Sequence, residues 1–283
     1  MATMMLLSNG QASVNVFTVK GRVTDKAGRG ISGVVVNNGM AFTRTDANGY
    51  WTLRTDTFVS KFISISTPAA YKLPSKNGIA SGFYVPVRPA VSSKSWNFVL
   101  EKRTKPADRF SYIAISDPQM LDAADMKRWN TELVPDMRAV VDSLSKTREV
   151  VGITVGDIVF DNLPLLRSYA ASFKNMKITM FQCIGNHDFD KRYKGLNNSR
   201  LGAGVYGEMA YAAMFGPADY SFNIGKAHVV TLKNINYKGN KAYVETLTEN
   251  QLRWLANDLK FVPKGSLVIL NMHAAAWNKD DPA

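Results

Sequence analysis

The sequence contains only one cysteine and three histidines among its 283 residues. The lone cysteine, Cys183, excludes an internal disulfide and any cysteine-rich zinc or iron–sulfur site. Long apolar runs are also missing, because no stretch reaches the roughly 18 consecutive apolar residues of a membrane-spanning helix. Hydrophobic residues still make up 46% and charged residues 20% of the chain. These values are typical of a globular protein, and at about 150 residues per domain the length predicts two domains.

Acidic residues are scarce in the first third of the chain. Residues 1–105 hold 14 Lys and Arg against 4 Asp and Glu, whereas residues 106–283 hold 21 against 19. A basic surface of this kind can face nucleic acid, anionic lipid or an acidic polymer, or can simply keep the domain in solution. The cations stand singly, as at Lys20, Arg22 and Lys26, and no aromatic–basic stacking motif accompanies them. We therefore do not expect nucleic acid to be a partner.

The first third of the chain reads as all-β. Short alternating runs are separated by turn signals such as Asn38-Gly39 and Asn48-Gly49, which supply the positive φ that tight turns require. Regular short strands with this spacing predict a β-sandwich. The predicted strands cover 14–19, 34–36, 51–54, 61–66 and 96–100.

The polar link, Glu101-Lys102-Arg103-Thr104-Lys105-Pro106, ends in proline and marks a domain boundary between residues 105 and 106. Beyond it, strands alternate with helices, which predicts an α/β layered domain. In the helix predicted over 248–259, Thr248 and Gln251 form a capping box, and Leu252, Leu255 and Leu259 share one face. The predicted strands cover 110–116, 150–155, 177–184, 220–224, 228–232 and 267–271, the last one buried, and the helices cover 122–145, with an interruption at Pro135, 164–174 and 248–259.

Polar residues follow four of these strands directly. Ligands of open α/β sheets bind outside the carboxyl ends of the strands, so these side chains are expected to share one edge. Carboxylate and amide oxygens together with imidazole suit divalent ions such as manganese, iron or zinc. The residues are Asp117, Gln119, Asp157, Asp161, Asn186, His187, Asp188 and His273.

The motifs are Asp117-Pro118-Gln119, Gly156-Asp157 followed by Asp161, Gly185-Asn186-His187-Asp188, and a strand that ends in His273. Their order resembles the calcineurin-like metallophosphoesterase superfamily over residues 109–283. The resemblance implies an α/β/β/α sandwich, two divalent metal ions and hydrolysis of a phosphate mono- or diester. Asp157 would then bridge both ions. His187 would be the general acid that protonates the leaving oxygen, with Asp161 or Asp188 orienting its ring. Asp117 and Gln119 would face one ion, and Asn186 and His273 would face the other.

Two departures from the family pattern bear on activity. Gln119 stands where the family usually has histidine, and the sequence lacks the Gly-His-x-His motif that closes the family's site. The only histidines are His187, His228 and His273, and we expect His228 to be structural. We accordingly expect a metallophosphoesterase domain that is incomplete at its C-terminus and impaired. The alternative is a weakly active or inactive protein that uses its basic β-sandwich to hold an anionic polymer or an envelope surface.

The first domain resembles the carboxypeptidase-regulatory-like β-sandwich. That module implies an exported bacterial protein, periplasmic or secreted. Residues 1–13 are expected to be a tail or the remnant of a signal peptide, followed by the β-sandwich at 14–105 and the metallophosphoesterase domain at 106–283. The stretches that carry the resemblance are Gly21-Arg22-Val23-Thr24-Asp25 and Thr45-Asp46-Ala47-Asn48-Gly49-Tyr50.

Overall fold

The computed structural model describes residues 16–56, 61–87, 96–193 and 202–275. A sheet-rich N-terminal region comes first, and a region in which helices alternate with strands follows it, so this coarse division of the chain is confirmed. Among the helices of the described residues, none has the length and apolar character needed to cross a lipid bilayer.

The N-terminal region builds two sheets that share one apolar core. The first has the strand order β4-β1-β9 and the second β3-β2-β5-β8. Val19 and Val23 of β1 meet Val36 and Ile63 of the second sheet in a single buried cluster. The strands are β1 (Val16–Asp25), β2 (Val35–Asn37), β3 (Phe42–Arg44), β4 (Tyr50–Asp56), β5 (Phe62–Ser66), β6 (Ser75–Lys76), β7 (Ile79–Ala80), β8 (Tyr84–Pro86) and β9 (Phe98–Leu100).

The second region contains a central sheet of order β10-β11-β12-β7-β6 and a smaller one of order β13-β14-β17. Strands β10, β11 and β12 run parallel. The elements are β10 (Phe110–Ile115), α1 (Ala123–Arg128), α2 (Val134–Leu144), β11 (Glu149–Val155), α3 (Leu165–Ser172), β12 (Thr179–Cys183), α4 (Gly202–Gly207), α5 (Met209–Phe215), β13 (Tyr220–Ile224), β14 (Ala227–Thr231), β15 (Ile235–Gly239), β16 (Ala242–Glu245), α6 (Glu249–Leu259) and β17 (Leu267–Asn271).

The two sheets of this region pack face to face, with helices outside. Val150 of β11 joins the cluster that holds the buried faces of α1, α2 and α3. The next residue, Val151, points to the opposite side of the sheet and joins the cluster that contains Phe222 and Val229 of the smaller sheet. On that sheet, Val230 faces outward onto Trp254 of α6.

The N-terminal region contributes directly to the central sheet. Ile79 of β7 pairs with Met180 of β12, and the Met180 N–H donates to the carbonyl of Gly78 at 2.7 Å. The sequence marks the turn of this hairpin by Asn77-Gly78, which have φ values of 54° and 83°, but it did not predict the strands, because two-residue strands have no periodicity to detect. One sheet therefore takes strands from both sides of the predicted boundary.

Helix α6 begins as predicted but buries a different face. Thr248 and Gln251 form the capping box. Of the three leucines predicted to share one face, Leu255 is partly buried and packs on the cluster of Trp254. The other two are not buried, since Leu252 is 51% and Leu259 is 36% exposed while Trp254 is 2% exposed. The helix packs through its tryptophan because that ring meets Phe42 of β3 and its Nε1 donates to Asn37 Oδ1 at 3.2 Å.

Strand β17 was predicted to be buried, and this prediction is wrong. Leu267 is 61% exposed and Leu270 is 41% exposed. The strand lies at the edge of its sheet with β14 as its only neighbour among the described residues. Its apolar composition does not distinguish such an edge strand from a buried central one.

The predicted interruption at Pro135 corresponds to a change of helix type. A single π-helical turn, Trp129–Leu133, connects α1 to α2, and Pro135 lies in the first turn of α2. Because helical backbone precedes Pro135, its missing N–H removes one bond from the helical ladder, and the π turn just before it is where the helix departs from regular α geometry.

Candidate metal centre

The predicted site residues meet at the carboxyl edge of β10, β11 and β12 with an unusual backbone. Asp117, Gln119, Asp157 and Asp161 have φ values of 49°, 44°, 48° and 59°. Non-glycine residues seldom adopt this left-handed region, and such conformations gather at functional sites, where the surroundings hold them. Here the Gln119 N–H donates to the Asp157 carbonyl at 2.8 Å, which connects the loop after β10 to the loop after β11.

Asp157 is the central carboxylate of the site. It is 2% exposed, and its Oδ1 accepts the backbone N–H of His187 at 2.8 Å. Its Oδ2 accepts Gln119 Nε2 at 3.1 Å. Ligand atoms of Asp117, Asp157 and His273 all lie within 4.8 Å of one another, which is close enough for a shared cation.

His273 turns its ring edge toward this carboxylate. Its Nδ1 lies 2.9 Å from the Val155 carbonyl, which can only accept, so Nδ1 carries the proton. The remaining nitrogen, Nε2, lies 3.0 Å from Asn186 Oδ1 and 3.4 Å from Asp157 Oδ1. In the neutral ring three acceptor atoms thus converge with no proton between them, which is a donor set that fits a divalent metal ion.

Two glycines allow Asp157 and His273 to lie close to the neighbouring strand-end loops. A Cβ added to Gly185 would lie 2.2 Å from Asp157 Oδ1 and 2.2 Å from its backbone nitrogen. A Cβ on Gly156 would lie 2.4 Å from His273 Nδ1. All three distances are far below van der Waals contact, so only glycine allows the strand-end loops to close on the site.

His187 is held by a carboxylate and an aromatic ring. Its Nδ1 lies 3.0 Å from Asp161 Oδ1, and Phe160 stacks on the imidazole at a centroid distance of 3.9 Å. Lys191 Nζ donates to the Asn186 carbonyl at 2.6 Å and lies 3.5 Å from Asp161. These contacts leave Nε2 of His187 as the ring nitrogen available to a ligand.

Asp188 takes a different place from Asp161. It is fully buried and accepts the N–H groups of Gly185 at 2.9 Å and Val159 at 3.1 Å. Burial raises the pKa of Asp188 to about 8, against the effect of these hydrogen bonds. Of the two carboxylates considered for orienting His187, the structure brings Asp161 to the ring and uses Asp188 to join two strand-end loops.

Two other residues considered from the sequence are not part of the ligand cluster. His228 on β14 is buried and contacts Asn223 Oδ1 at 2.9 Å and Asp258 Oδ2 at 2.7 Å, as expected of a structural histidine. Cys183 is fully buried on β12, and burial raises the pKa of its thiol.

Sequence reasoning missed Phe160, Lys191 and the role of the two glycines. Phe160 stands one residue before Asp161, where an apolar residue in a polar loop was a signal that could have been used. Lys191 follows the Gly-Asn-His-Asp motif by three residues and had no signal of its own. Gly156 and Gly185 were noted only as parts of motifs, because a close approach between loops cannot be read from one chain segment.

The described site is therefore a carboxylate, amide and imidazole cluster at the end of a parallel sheet, suited to divalent cations. Residues 17–103 match the family model for the N terminal of calcineurin-like phosphoesterase. This match supports the calcineurin-like phosphoesterase superfamily, whose members are generally metal-dependent hydrolases of phosphate esters. It covers the N-terminal region and none of the site residues. No curated protein matches the chain.

Proposed function

We propose that this chain hydrolyses a phosphate mono- or diester with the help of two divalent metal ions such as manganese, iron or zinc. The observation that supports this most directly is the convergence of Asp157 Oδ1 and Asn186 Oδ1 on His273 Nε2, with a ligand atom of Asp117 close by. The match of the N-terminal region to a phosphoesterase family is independent support.

Asp157 would hold both cations, and the other ligands would divide between them. Asp117 and Gln119 would lie on one side, Asn186 and His273 on the other. When bound, two cations neutralise phosphate charge and lower the pKa of an attacking water. The Val155 carbonyl fixes the tautomer of His273, which keeps its lone pair turned inward.

His187 would donate a proton to the leaving oxygen. Asp161 accepts from Nδ1 and holds the ring in its orientation, so Asp161 is a positioning residue in this proposal. Phe160 fixes the plane of the imidazole by stacking. A general acid held in this way contributes about 10²- to 10⁴-fold to rate in enzymes.

The test is Asp157→Asn, assayed for manganese binding by calorimetry and for hydrolysis of p-nitrophenyl phosphate and bis-p-nitrophenyl phosphate. We expect both metal binding and turnover to fall by more than about 100-fold, since even residues that only support a ligand are worth about 10- to 100-fold. The ratio of the two substrate rates separates a monoesterase from a diesterase.

Asp142→Asn is the matched control, because it makes the same change on the exposed side of α2. This variant should bind manganese and hydrolyse both substrates as the parent does. Hydrolysis by Asp157→Asn at the parent rate would show that the site is misassigned. A parent chain that binds no manganese and turns over neither substrate would overturn the proposed function and favour the binding-only alternative.

A further inference from the structure

A large cleft lies at the opposite edge of the central sheet from the metal centre. It encloses about 750 Å³ and is lined by residues at the amino ends of β10, β11 and β12, together with the polar link. Parallel strands of six residues are about 20 Å long, so a ligand in this cleft is separated from the metal centre by the length of the sheet.

Positive charge dominates the cleft. Lys72 pairs with Glu101, and Arg103 pairs with Glu149. Among the residues that the structure describes, the other cations have no carboxylate within ion-pair distance, and Asp108 is the only further acidic residue in the lining. The seven lining cations are Lys72, Arg103, Lys105, Arg109, Lys146, Arg148 and Lys177.

Arg103 supplies a second, independent indication of a ligand. Its side chain is 5% exposed, Nη1 contacts Glu149, and Nε donates to the Ala69 carbonyl at 2.9 Å. Its Nη2 is buried and has no hydrogen-bond partner within the described part of the chain. Buried donors are nearly always hydrogen-bonded, and burial lowers the pKa of Arg103, so an acceptor with negative charge would satisfy this group.

The lining also restricts the chemistry of the ligand. Over the described ranges of the chain, no aromatic side chain lines the cleft, so stacking on bases or sugar rings has no platform there. The cleft is much larger than one phosphate group, and its unpaired cations come from three different strand ends. Recognition must therefore rest on several negative charges carried along one molecule.

We propose that this cleft binds a linear phosphate polymer, through Arg103, Arg109, Lys146 and Lys177, independently of the metal centre. The basic face expected from the sequence was the β-sandwich, where Lys20, Arg22 and Arg54 lie. The cleft instead takes its unpaired cations from the polar link and the α/β region.

The probe is inorganic polyphosphate of defined length, labelled at one end and titrated by anisotropy at several salt concentrations with EDTA present. The triple variant Arg109→Gln, Lys146→Gln, Lys177→Gln should bind at least about tenfold more weakly at low salt, with a salt slope smaller by about one for each cation removed. Arg103→Lys keeps the net charge but removes Nη2, and it should also weaken binding.

The matched control is Lys20→Gln, Lys127→Gln, Lys238→Gln, which removes three exposed cations elsewhere. It should bind like the parent, and so should Asp157→Asn, which keeps this test separate from the hydrolase proposal. If both triple variants lose the same amount of polyphosphate affinity, then binding depends on net charge alone, and the proposed site is wrong. Inorganic phosphate, anionic vesicles or single-stranded RNA binding as tightly as the polymer would overturn the ligand class.

Discussion

At the scale of single residues, the site depends on three atoms that could each ligate a metal ion and that converge on one point. Asn186 Oδ1 and Asp157 Oδ1 both face His273 Nε2, although all three atoms are acceptors in the neutral state. The left-handed backbone of Asp117 and Asp157 adds conformational strain of the kind that persists when surrounding structure fixes it. A bound metal cation would be shared by the three acceptor atoms that face one another.

Gly185→Ala tests how tightly the loops must close. The new Cβ would meet the Asp157 carboxylate and backbone nitrogen, both at 2.2 Å, while Gly185 itself has φ −103° and would suffer no backbone strain. We expect manganese affinity to fall by about 10- to 100-fold, as when a supporting residue of a metal site is lost. Isothermal titration with manganese measures this.

The control for that variant is Gly39→Ala. Its φ is 86° and nothing lies within 4 Å of the added Cβ, so it should cost about 1–2 kcal/mol of stability through backbone strain yet leave manganese affinity unchanged. If Gly185→Ala binds manganese as the parent does, then the closeness of the two loops does not matter to the site.

At the scale of elements, the sequence predicted strand ends better than buried faces. Asp117 and Asp157 could be grouped from the order of strands and polar residues alone, because β10 and β11 are parallel and direct their carboxyl ends to one edge. His273 follows β17 of the smaller sheet, so its place beside them depends on how the two sheets pack. The buried face of α6 could not be predicted, because Trp254 is drawn to Phe42 and Asn37 of the N-terminal region. Only tertiary contact decides between two faces that both carry apolar residues.

Trp254→Ala and Leu252→Ala test the corrected face of α6. Removing the buried tryptophan should cost about 3–5 kcal/mol. Removing Leu252, which is 51% exposed, should change stability by less than about 0.5 kcal/mol. Urea unfolding followed by circular dichroism gives both values, and a Leu252→Ala cost equal to that of Trp254→Ala would restore the face expected from the sequence.

At the scale of the whole molecule, the two regions are joined by more than the polar link. One buried cluster contains Ile65 of β5 together with Val151 of β11. A buried polar network continues across the same junction, in which Ser221 contacts Ser66 at 3.0 Å and Asp258 at 2.9 Å. Ser66 and Ser221 are 155 positions apart in the chain, and no local sequence pattern could have indicated their contact.

This shared core predicts that the two regions unfold together. Ile65→Ala, in the N-terminal region, should lower the free energy of opening of the most protected amides by about 2–5 kcal/mol. The same decrease should be found in β1 and in β11, because losing the cluster destabilises both. Hydrogen exchange measured by mass spectrometry reports on the two strands separately.

Val99→Ala is the control for cooperative unfolding, since Val99 is 58% exposed on β9 and its truncation should move neither strand by more than about 0.5 kcal/mol. A decrease confined to β1 after Ile65→Ala would mean that the regions are thermodynamically independent, and the predicted boundary at residue 105 would then also be a boundary of stability. Equal decreases would mean that the candidate metal centre, at the carboxyl ends of β10, β11 and β12, draws its rigidity partly from the N-terminal region.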